Sequence, residues 1–276
     1  MIHFRMLAGA TALALSLGSA VTAQEYALRF QSSDPAGSPT FEIQAAWAPI
    51  VEQMSGGRMT LEMLPVNAIM GYSETFDAVA AGIIDGHITD MSYWAGKDPA
   101  FSLLGNPVGA WASPDQLFRF MEYGGGNEVA NEILHPYGLH LIGVTTPGLE
   151  AFASRVPLNG VDDLEGLKMR APEGLVQEIF AAAGAAPVNL PFSEVFTSLD
   201  KGVIDAADAT VFAGNHEAGL TDVAPHPVYP GFHSMPTIEA SITKSTWDSM
   251  PDDLKAILES AITVLRFEIT NQIAMR

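Results

Sequence analysis

Hydrophobic and polar positions change their spacing several times along the chain. Apolar residues alternate with polar ones over 25–31 and 58–64, which is typical of strands with one buried face. Over 40–54 and 73–81 they recur every three or four residues, as in helices that pack on a core, and glycines follow both segments. This succession of strands and helices predicts an α/β fold.

A second stretch with the same alternation begins near Leu149. It predicts strands at 151–154, 167–170, 188–190, 203–207 and 238–243, with helices at 174–183 and 193–200. A weak internal repeat links the two halves, because 78–85 and 198–205 both have a helix end, a glycine, two β-favouring residues and an aspartate. Such junctions also recur by chance, but together with the alternation they favour two α/β lobes. The lobes are predicted as 24–148 with 239–276, and 149–238.

The two ends of the chain have patterns of their own. Residues 1–23 resemble an export signal: Arg5 is basic, an apolar run follows, and small residues precede a cleavage site after Ala23. The apolar run is too short for a membrane span, so we expect an exported, periplasmic protein without stable membrane insertion. At the other end, a helical pattern from Pro251 reaches Arg276 without a stop signal, which suggests a C-terminal truncation.

Composition narrows the classes of partner. The chain has a formal net charge of −19 and no cysteine, so thiol chemistry is excluded and the core must be stable without disulfides. An acidic chain repels nucleic acid and anionic lipid, and the simplest interpretation is a well-solvated surface. An anionic ligand would therefore need a local binding site, because the overall field opposes it.

One basic side chain is a candidate for such a site. In a predicted strand of the second half, alternation turns Leu167 and Met169 toward the core and Arg170 toward the other face. A planar guanidinium binds a carboxylate through two parallel hydrogen bonds, which a lysine cannot do. The alternative is a structural ion pair between this arginine and Glu150 or Asp208.

Several short motifs around this arginine recur in one protein family. They are Arg170-Ala-Pro172, Gly184-Ala-Ala-Pro-Val188, Ser193-Glu194, Leu199–Ala206 and, in the first half, Ser55–Arg58 and Gly82–Asp85. Over essentially the whole mature chain the sequence resembles the DctP-type solute-binding proteins of TRAP transporters. The resemblance implies a two-lobed periplasmic binding protein fold with hinge strands and a long lobe-spanning helix. It also implies a binding protein, not an enzyme, that delivers an organic anion to membrane permease subunits driven by an ion gradient.

Three further segments resemble the branch of this family that binds 2-oxo acids or lactate together with a metal ion. They are Tyr93–Phe101, Tyr123–Gly126 and Tyr229–His233. By this resemblance Glu150 contacts ligand and metal, and Asp208, the carbonyl of Ala209 and Glu239 complete the metal shell. Glu150 replaces the glutamine and Ala209 the tryptophan of that branch, so Phe212 is the candidate for the lost aromatic wall.

The predicted shell consists of carboxylate and carbonyl oxygens, which are ligands for hard cations. Ca²⁺ or Na⁺ is therefore expected to bridge the ligand, with Ca²⁺ favoured. The alternative is that Glu150 and Glu239 are solvated residues at the rim. Without a cation, these acids would repel an anionic ligand unless one stayed protonated or the ligand carried an amine or hydroxyl groups.

Three more side chains are candidates for the cleft between the lobes. Tyr93 and Trp94 follow a predicted strand and would wall the ligand, although aromatic residues in such a place are as often part of a core. His233 is a candidate hydrogen-bond donor, with packing inside its loop as the slightly favoured alternative.

Enzyme motifs are absent from the sequence. There is no P-loop, Gly-x-Ser-x-Gly or His-Glu-x-x-His segment, which leaves an exported metal-dependent hydrolase or lyase as a remote alternative. The expected ligand is a small 2-oxo or 2-hydroxy acid, and the nearer alternative is a zwitterionic or sugar acid bound without metal. We expect a monomer or a homodimer.

Overall fold

Two β-sheets organise the part of the chain that the computed structural model describes, which is residues 24–229, Gly231 and 234–275. The predicted export signal and its cleavage after Ala23 lie outside these residues. The strands, in chain order, are β1 Tyr26–Ser32, β2 Met59–Leu64, β3 Gly86–Asp90, β4 Leu139–Thr145, β5 Ala151–Ser154, β6 Lys168–Arg170, β7 Ala186–Val188, β8 Ala206–Thr210 and β9 Ile238–Thr243.

Helices connect most of the strands and cover the sheets. The α-helices are α1 Pro39–Ala45, α2 Trp47–Met54, α3 Thr75–Ala80, α4 Ala100–Gly105, α5 Pro114–Tyr123, α6 Gly126–Leu134, α7 Leu175–Ala182, α8 Phe192–Asp200, α9 Phe212–Glu217, α10 Leu220–Val223, α11 Lys244–Ser249 and α12 Asp252–Ala274. Short 3-10 helices span Tyr72–Glu74, Met91–Trp94, His135–Tyr137 and Val161–Leu164. In the described part of the chain, no helix is long and apolar enough to cross a membrane.

The larger sheet has five strands in the order β2-β1-β3-β9-β4. Strand β1 runs parallel to β2 and β3, and β9 runs antiparallel to β3 and β4. Apolar side chains build one core around Phe30 and Trp47 and another around Phe76 and Phe101. The long helix α12 buries its apolar stripe in the first of these cores, against α1, α2 and β4, and also touches α9.

The smaller sheet has four strands in the order β5-β8-β6-β7. Strand β6 runs parallel to β7 and β8, whereas β5 runs antiparallel to β8. Its cores gather around Met169 and Phe180, and around Val195 and Leu199. Two sheets, each covered by helices, confirm the predicted α/β fold with two lobes. The boundaries proposed for the lobes stay a prediction.

The helix predicted over 40–54 is interrupted. It consists of α1 and α2, which meet at Ala46. The cause is Pro49, which has no N–H to donate to the carbonyl of Ala45 and whose ring crowds that carbonyl. Apolar spacing continues through the break, so the periodicity alone could not reveal it.

The strand predicted over 203–207 begins three residues later, as β8. The N–H groups of Val203 and Ile204 donate to the carbonyl of Ser198 and so close the C-terminal end of α8. These β-favouring residues therefore belong to a turn. The shift places Asp208 in the middle of a central strand instead of just beyond one.

Candidate functional site

A cavity of about 340 Å³ lies between the two sheets, at the ends of their strands. Asp90 ends β3 and Asp34 follows β1, so both line the cavity from the five-stranded sheet. Arg170 ends β6 and Glu150 precedes β5, so these line it from the four-stranded sheet. In α/β proteins polar side chains converge at such strand ends, where ligands commonly bind. The cavity is therefore the candidate binding site.

Arg170 is buried, with only 2% of its surface exposed, and its guanidinium is held by neutral groups. Nη1 donates to the carbonyl of Asp208 at 2.5 Å, Nε donates to the carbonyl of Leu190 at 3.1 Å, and Nη2 donates to the hydroxyl oxygen of Tyr93 at 3.4 Å. Among the described residues this arginine forms no ion pair, so the alternative of a structural pair with Glu150 or Asp208 is not realised. Such a guanidinium is suited to a ligand carboxylate.

Two buried carboxylates, Glu150 and Asp208, lie close to each other and to the arginine. Ser234 Oγ donates to Glu150 Oε2 at 2.5 Å, and it accepts a hydrogen bond from Asn106 Nδ2 at 2.7 Å. Asp208 is fully buried, and no described residue donates a hydrogen bond in good geometry to either of its carboxylate oxygens. The Ser234 hydroxyl is near enough to lower its pKa, but its proton is donated to Glu150. A buried carboxylate without a partner is costly, so this pair requires a proton or a cation.

The pKa values of both carboxyl groups are raised. Burial, and then the charge of Asp208, raises the pKa of Glu150 well above its ordinary value. Burial raises the pKa of Asp208 to about 7, although Arg170 acts in the opposite direction. The pair therefore retains a proton near neutral pH when no cation is present, and a cation that binds there must displace it.

The structure does not bring Glu239 to the predicted metal shell. Its carboxylate accepts hydrogen bonds from Trp94 Nε1 at 2.6 Å and from Ser241 Oγ at 2.5 Å, and it lies 3.5 Å from His87 Nε2. Alternation along β9 turns Ile238 to the cavity and Glu239 to the opposite face. Glu239 is thus buried and hydrogen-bonded within the five-stranded sheet, and it is not a solvated rim residue.

The predicted three-carboxylate metal set is therefore incomplete. Within residues 24–229, 231 and 234–275, no group of three or more His, Cys, Asp or Glu side chains could hold a metal ion. A further oxygen beside this pair, Glu150 and Asp208, belongs to Ser234, which donates to Glu150 and which sequence reasoning missed. One feature of the sequence could have indicated Ser234: it directly follows the candidate His233, in the loop that precedes β9. His233 itself lies outside the described residues.

The aromatic candidates divide into two groups. Tyr93 lines the cavity, and its ring packs against Tyr72 with centroids 4.6 Å apart. Trp94 does not line the cavity but is buried in the core with Phe76, because it points to the other side of its 3-10 turn. Phe212 is not a cavity wall either, since it is half exposed and packs edge-on against Tyr229. On the four-stranded side the cavity is lined by Ala209 and Phe192. The role predicted for Ala209, a metal ligand through its carbonyl, stays a prediction.

Two further acids at the cavity, Asp34 and Asp90, were not among the sequence-based candidates. Burial raises the pKa of each to about 6. The hydrogen bond from Gln44 and the nearby Ser32 hydroxyl partly offset this at Asp34, and Ser92 and the charge of Arg170 partly offset it at Asp90. Both groups are therefore mostly ionised at neutral pH. They make the side of the cavity opposite Arg170 distinctly acidic.

The empty protein is expected to lose stability as the pH rises from about 5 to about 8. The folded-state pKa values of Asp34 and Asp90, about 6, lie above the ordinary aspartate value, so the folded state binds more protons than the unfolded state. Their stabilising contribution is present at low pH and is lost as the pH rises through about 6, on the order of 1 kcal/mol for each group. In chelator, these two groups alone should lower the melting temperature by roughly 4–8 °C over this range, and the raised pKa values of Glu150 and Asp208 act in the same direction.

Two variants separate this effect from other titrations. Asp90→Asn removes one of four groups with raised pKa values, the others being Asp34, Glu150 and Asp208, and should make the fall measurably shallower. Asp162→Asn, on an exposed turn, should leave it unchanged. The same slope in wild type and in Asp90→Asn would mean that this carboxyl does not titrate as described.

Comparison with known proteins identifies the family. Residues 30–275 match DctP, the bacterial extracellular solute-binding protein family 7. The chain belongs to the DctP family. Its members are solute-binding proteins of transport systems, so this DctP chain is a binding component and not an enzyme.

Three crystal structures of TRAP periplasmic solute-binding proteins are similar to this DctP chain. An open, ligand-free protein from Rhodobacter sphaeroides is 56% identical, over 90% of this chain and 79% of its own, with a TM-score of 0.71. A protein from Pseudoalteromonas atlantica with bound sodium and pyruvate is 27% identical, over 91% and 77%, with a TM-score of 0.84. One from Colwellia psychrerythraea with bound calcium and pyruvate is 26% identical, over 91% and 77%, with a TM-score of 0.82.

The two sheets are in a closed arrangement. The DctP chain is closer in sequence to the open protein but closer in shape to the two proteins with bound pyruvate. Direct contacts also cross the cavity: Arg170 reaches Tyr93, and Asn189 Nδ2 donates to the hydroxyl oxygen of Tyr72 at 3.2 Å.

Gly174, immediately before α7, is the closest approach of the four-stranded side to the other side. Its φ is +87°, and a Cβ added there would lie 2.2 Å from Ser102 Oγ and 3.2 Å from the Cβ of Ala95. Ser102 belongs to α4, which packs on the five-stranded sheet. We expect Gly174→Ala to weaken binding of a small carboxylate ligand about tenfold or more, because the added methyl group clashes with Ser102 only when the two sides of the cavity are in contact. Titration calorimetry in the presence of Ca²⁺ measures the change.

Gly166→Ala is the matched control for this variant. Gly166 has a φ of +70°, but a Cβ there would meet no atom within 4 Å. Both variants carry backbone strain on the order of 1–3 kcal/mol, and the strain is greater at Gly174, where φ is 87° and ψ is −136°. Both should therefore lose stability, whereas only Gly174→Ala should bind weakly. Equal affinities in the two variants would count against closure at this contact.

Proposed function

We propose that this chain captures a small 2-oxo or 2-hydroxy acid between Arg170 and a bound cation, and delivers it to the permease of a TRAP transporter. The observation that carries the proposal is Asp208, a fully buried carboxylate without a hydrogen-bond partner among the described residues, beside Glu150. A cation is the partner that this pair lacks. The arginine supplies the complementary group for the carboxylate of the ligand.

The donor atoms of the proposed cation site are Glu150, Asp208 and the hydroxyl oxygen of Ser234. They are hard oxygen ligands, which suit Ca²⁺ or Na⁺. Two relatives that share about a quarter of their residues with this chain hold pyruvate with sodium or with calcium, which supports the same pair of ligands here. Bound in this position, the cation would offset the two acids and interact with the oxo or hydroxyl oxygen of the ligand.

The place of action follows from the family. We propose export through the signal at 1–23, cleavage after Ala23 and action in the periplasm as a monomer or homodimer. The partners would be the membrane permease subunits of a TRAP transporter, and the two proposed lobes, 24–148 with 239–276 and 149–238, would open to release the ligand. Solute-binding proteins of this family work in that setting, which supports the proposal.

Titration calorimetry with pyruvate tests the proposed function. Protein dialysed against chelator is titrated with pyruvate, with and without added Ca²⁺ or Na⁺. We expect one site per chain in the presence of the preferred cation, with at least about tenfold weaker binding in chelator, because the acids then repel the anion. Equal affinities under the two conditions would refute the cation, and no binding of any small 2-oxo or 2-hydroxy acid would refute the ligand class.

A further inference from the structure

We infer that Asp34 and Asp90 form a second binding subsite, which takes a protonated nitrogen of the ligand. The preferred ligands would then be small carboxylates that also carry an ammonium group. The inference rests on the proposed function in one respect, which is that Arg170 binds the carboxylate. It adds the chemical group that the opposite side of the cavity recognises.

The sheet topology brings the two aspartates together. Strands β1 and β3 are parallel neighbours, and Ser32 is in register with Ile88. Asp90 is the last residue of β3 and Asp34 lies two residues beyond the end of β1, so both side chains belong to the same edge of the sheet. Both line the cavity that Arg170 lines from the opposite side.

Asp90 is a buried carboxylate without a direct ion-pair partner among the described residues, although the charge of Arg170 across the cavity lowers its pKa. It is 6% exposed, and Oδ1 accepts a hydrogen bond from the backbone N–H of Ser92 at 2.8 Å. The side chain of Ser92 also interacts with this carboxylate and lowers its pKa. Of the described residues around the cavity, Arg170 is the only one with a basic side chain, and that guanidinium is assigned to the ligand carboxylate. An ionised group in this position has a strong preference for a cationic partner.

Asp34 is held in place by a buried amide. Gln44 Nε2 donates to Asp34 Oδ2 at 2.9 Å, and Gln44 Oε1 accepts from Ser32 Oγ at 2.6 Å. The amide orients the carboxylate but leaves its charge uncompensated. A pre-positioned acceptor of this kind favours a ligand that brings the opposite charge, because little ordering is required on binding.

The volume of the cavity leaves room for such a group. A water molecule occupies about 30 Å³ in the liquid, so a cavity of about 340 Å³ has room for roughly ten non-hydrogen atoms. Pyruvate bound at Arg170 fills only part of this space. The rest adjoins the edge formed by Asp34 and Asp90.

An ammonium group fits this edge better than a hydroxyl group does. A hydroxyl can donate one hydrogen bond to a carboxylate, but it leaves the negative charges of both aspartates buried and unneutralised. An ammonium group donates up to three hydrogen bonds and carries the compensating charge. The advantage of the charged donor is about tenfold or more in affinity.

Matched pairs of carboxylates test the inference directly. The pairs are glycolate and glycine, lactate and alanine, and 4-hydroxybutyrate and 4-aminobutyrate, each titrated calorimetrically into the wild type in the presence of Ca²⁺. In at least one pair we expect the ammonium member to bind about tenfold or more tightly than the hydroxyl member. For that pair, Asp90→Asn is expected to lower the affinity for the amino acid about tenfold and to change that for the hydroxy acid less than about threefold.

Three variants test the subsite and control for the change of charge. In Asp90→Asn the side-chain amide oxygen can still accept from Ser92, so the turn should stay folded, and Asp34→Asn repeats the test at the second acid. Asp162→Asn, on an exposed turn, controls for the loss of one negative charge. If no amino acid binds, if the hydroxy acids bind as well in every pair, or if Asp90→Asn weakens both members equally, the subsite is refuted. Binding of hydroxy or oxo acids alone would refute the subsite but keep the proposed function, whereas failure of all carboxylates would refute both.

Discussion

Arg170→Lys is expected to weaken pyruvate binding at least about 100-fold while the protein stays folded. Lysine keeps the positive charge but cannot form two parallel hydrogen bonds with a carboxylate. It also cannot reproduce the bonds that fix the guanidinium to the carbonyls of Asp208 and Leu190. Loss of two charge-assisted hydrogen bonds corresponds to roughly 3–5 kcal/mol of binding free energy. Calorimetric titration in Ca²⁺ gives the affinity, and thermal denaturation reports the fold.

Two further variants serve as comparisons for Arg170→Lys. Arg170→Ala removes both the positive charge and the planar group that forms two parallel hydrogen bonds, so it should abolish binding. Lys168→Ala changes the exposed basic residue of the same strand and should bind pyruvate as the wild type does. Micromolar binding by Arg170→Ala would rule out the role assigned to the arginine, and a loss in Lys168→Ala would indicate a non-specific effect of charge.

Asp208→Asn is expected to abolish the dependence of binding on the cation. The variant loses the unpartnered carboxylate that the cation would neutralise, so its affinity for pyruvate in Ca²⁺ should fall about 100-fold, and chelator should then have no further effect. The empty protein should become more stable, because the buried amide carries no charge. Calorimetry with and without chelator and thermal denaturation measure the two effects.

Asp205→Asn is the control for this change. Asp205 lies just before the same strand, but it is partly exposed and lies 3.5 Å from Arg155. Its loss should alter neither affinity nor cation dependence. If Asp208→Asn bound pyruvate as tightly as the wild type and still responded to chelator, the cation would have to lie elsewhere.

Local patterns in the sequence were sufficient for the fold class and for Arg170. Alternation of Leu167, Met169 and their neighbours fixes which side chains leave the core, and that information lies within a few residues of the arginine. The motifs around it then indicated the family, and the match of residues 30–275 confirms that prediction. Such conclusions need no knowledge of how distant strands pair.

The rest of the site depends on which strands pair and in which register, and local sequence patterns do not give that information. Glu239 was assigned to the metal shell by resemblance to the metal-binding branch of the family, but a shift of one residue decides which face of β9 a side chain occupies. Ile238 faces the cavity, and Glu239 therefore faces His87 and Trp94. Local periodicity gives the spacing of the two faces but not which of them adjoins the ligand.

The residues that sequence reasoning missed are joined only by the tertiary structure. Ser234 is 84 positions from Glu150, and Asp34 and Asp90 line the same cavity only because β1 and β3 are neighbours in the sheet. A search for polar residues at the ends of predicted strands would have selected all of them, together with many unrelated ones. Strand order is the information that separates the two groups.

The most direct test of the central claim is a crystal structure of the protein with pyruvate and Ca²⁺, recorded at a wavelength where calcium scatters anomalously. We expect the carboxylate of pyruvate on the guanidinium of Arg170 and an anomalous peak between Glu150 and Asp208, within bonding distance of both. Pyruvate bound away from Arg170, or bound there without a cation beside these two carboxylates, would contradict the account.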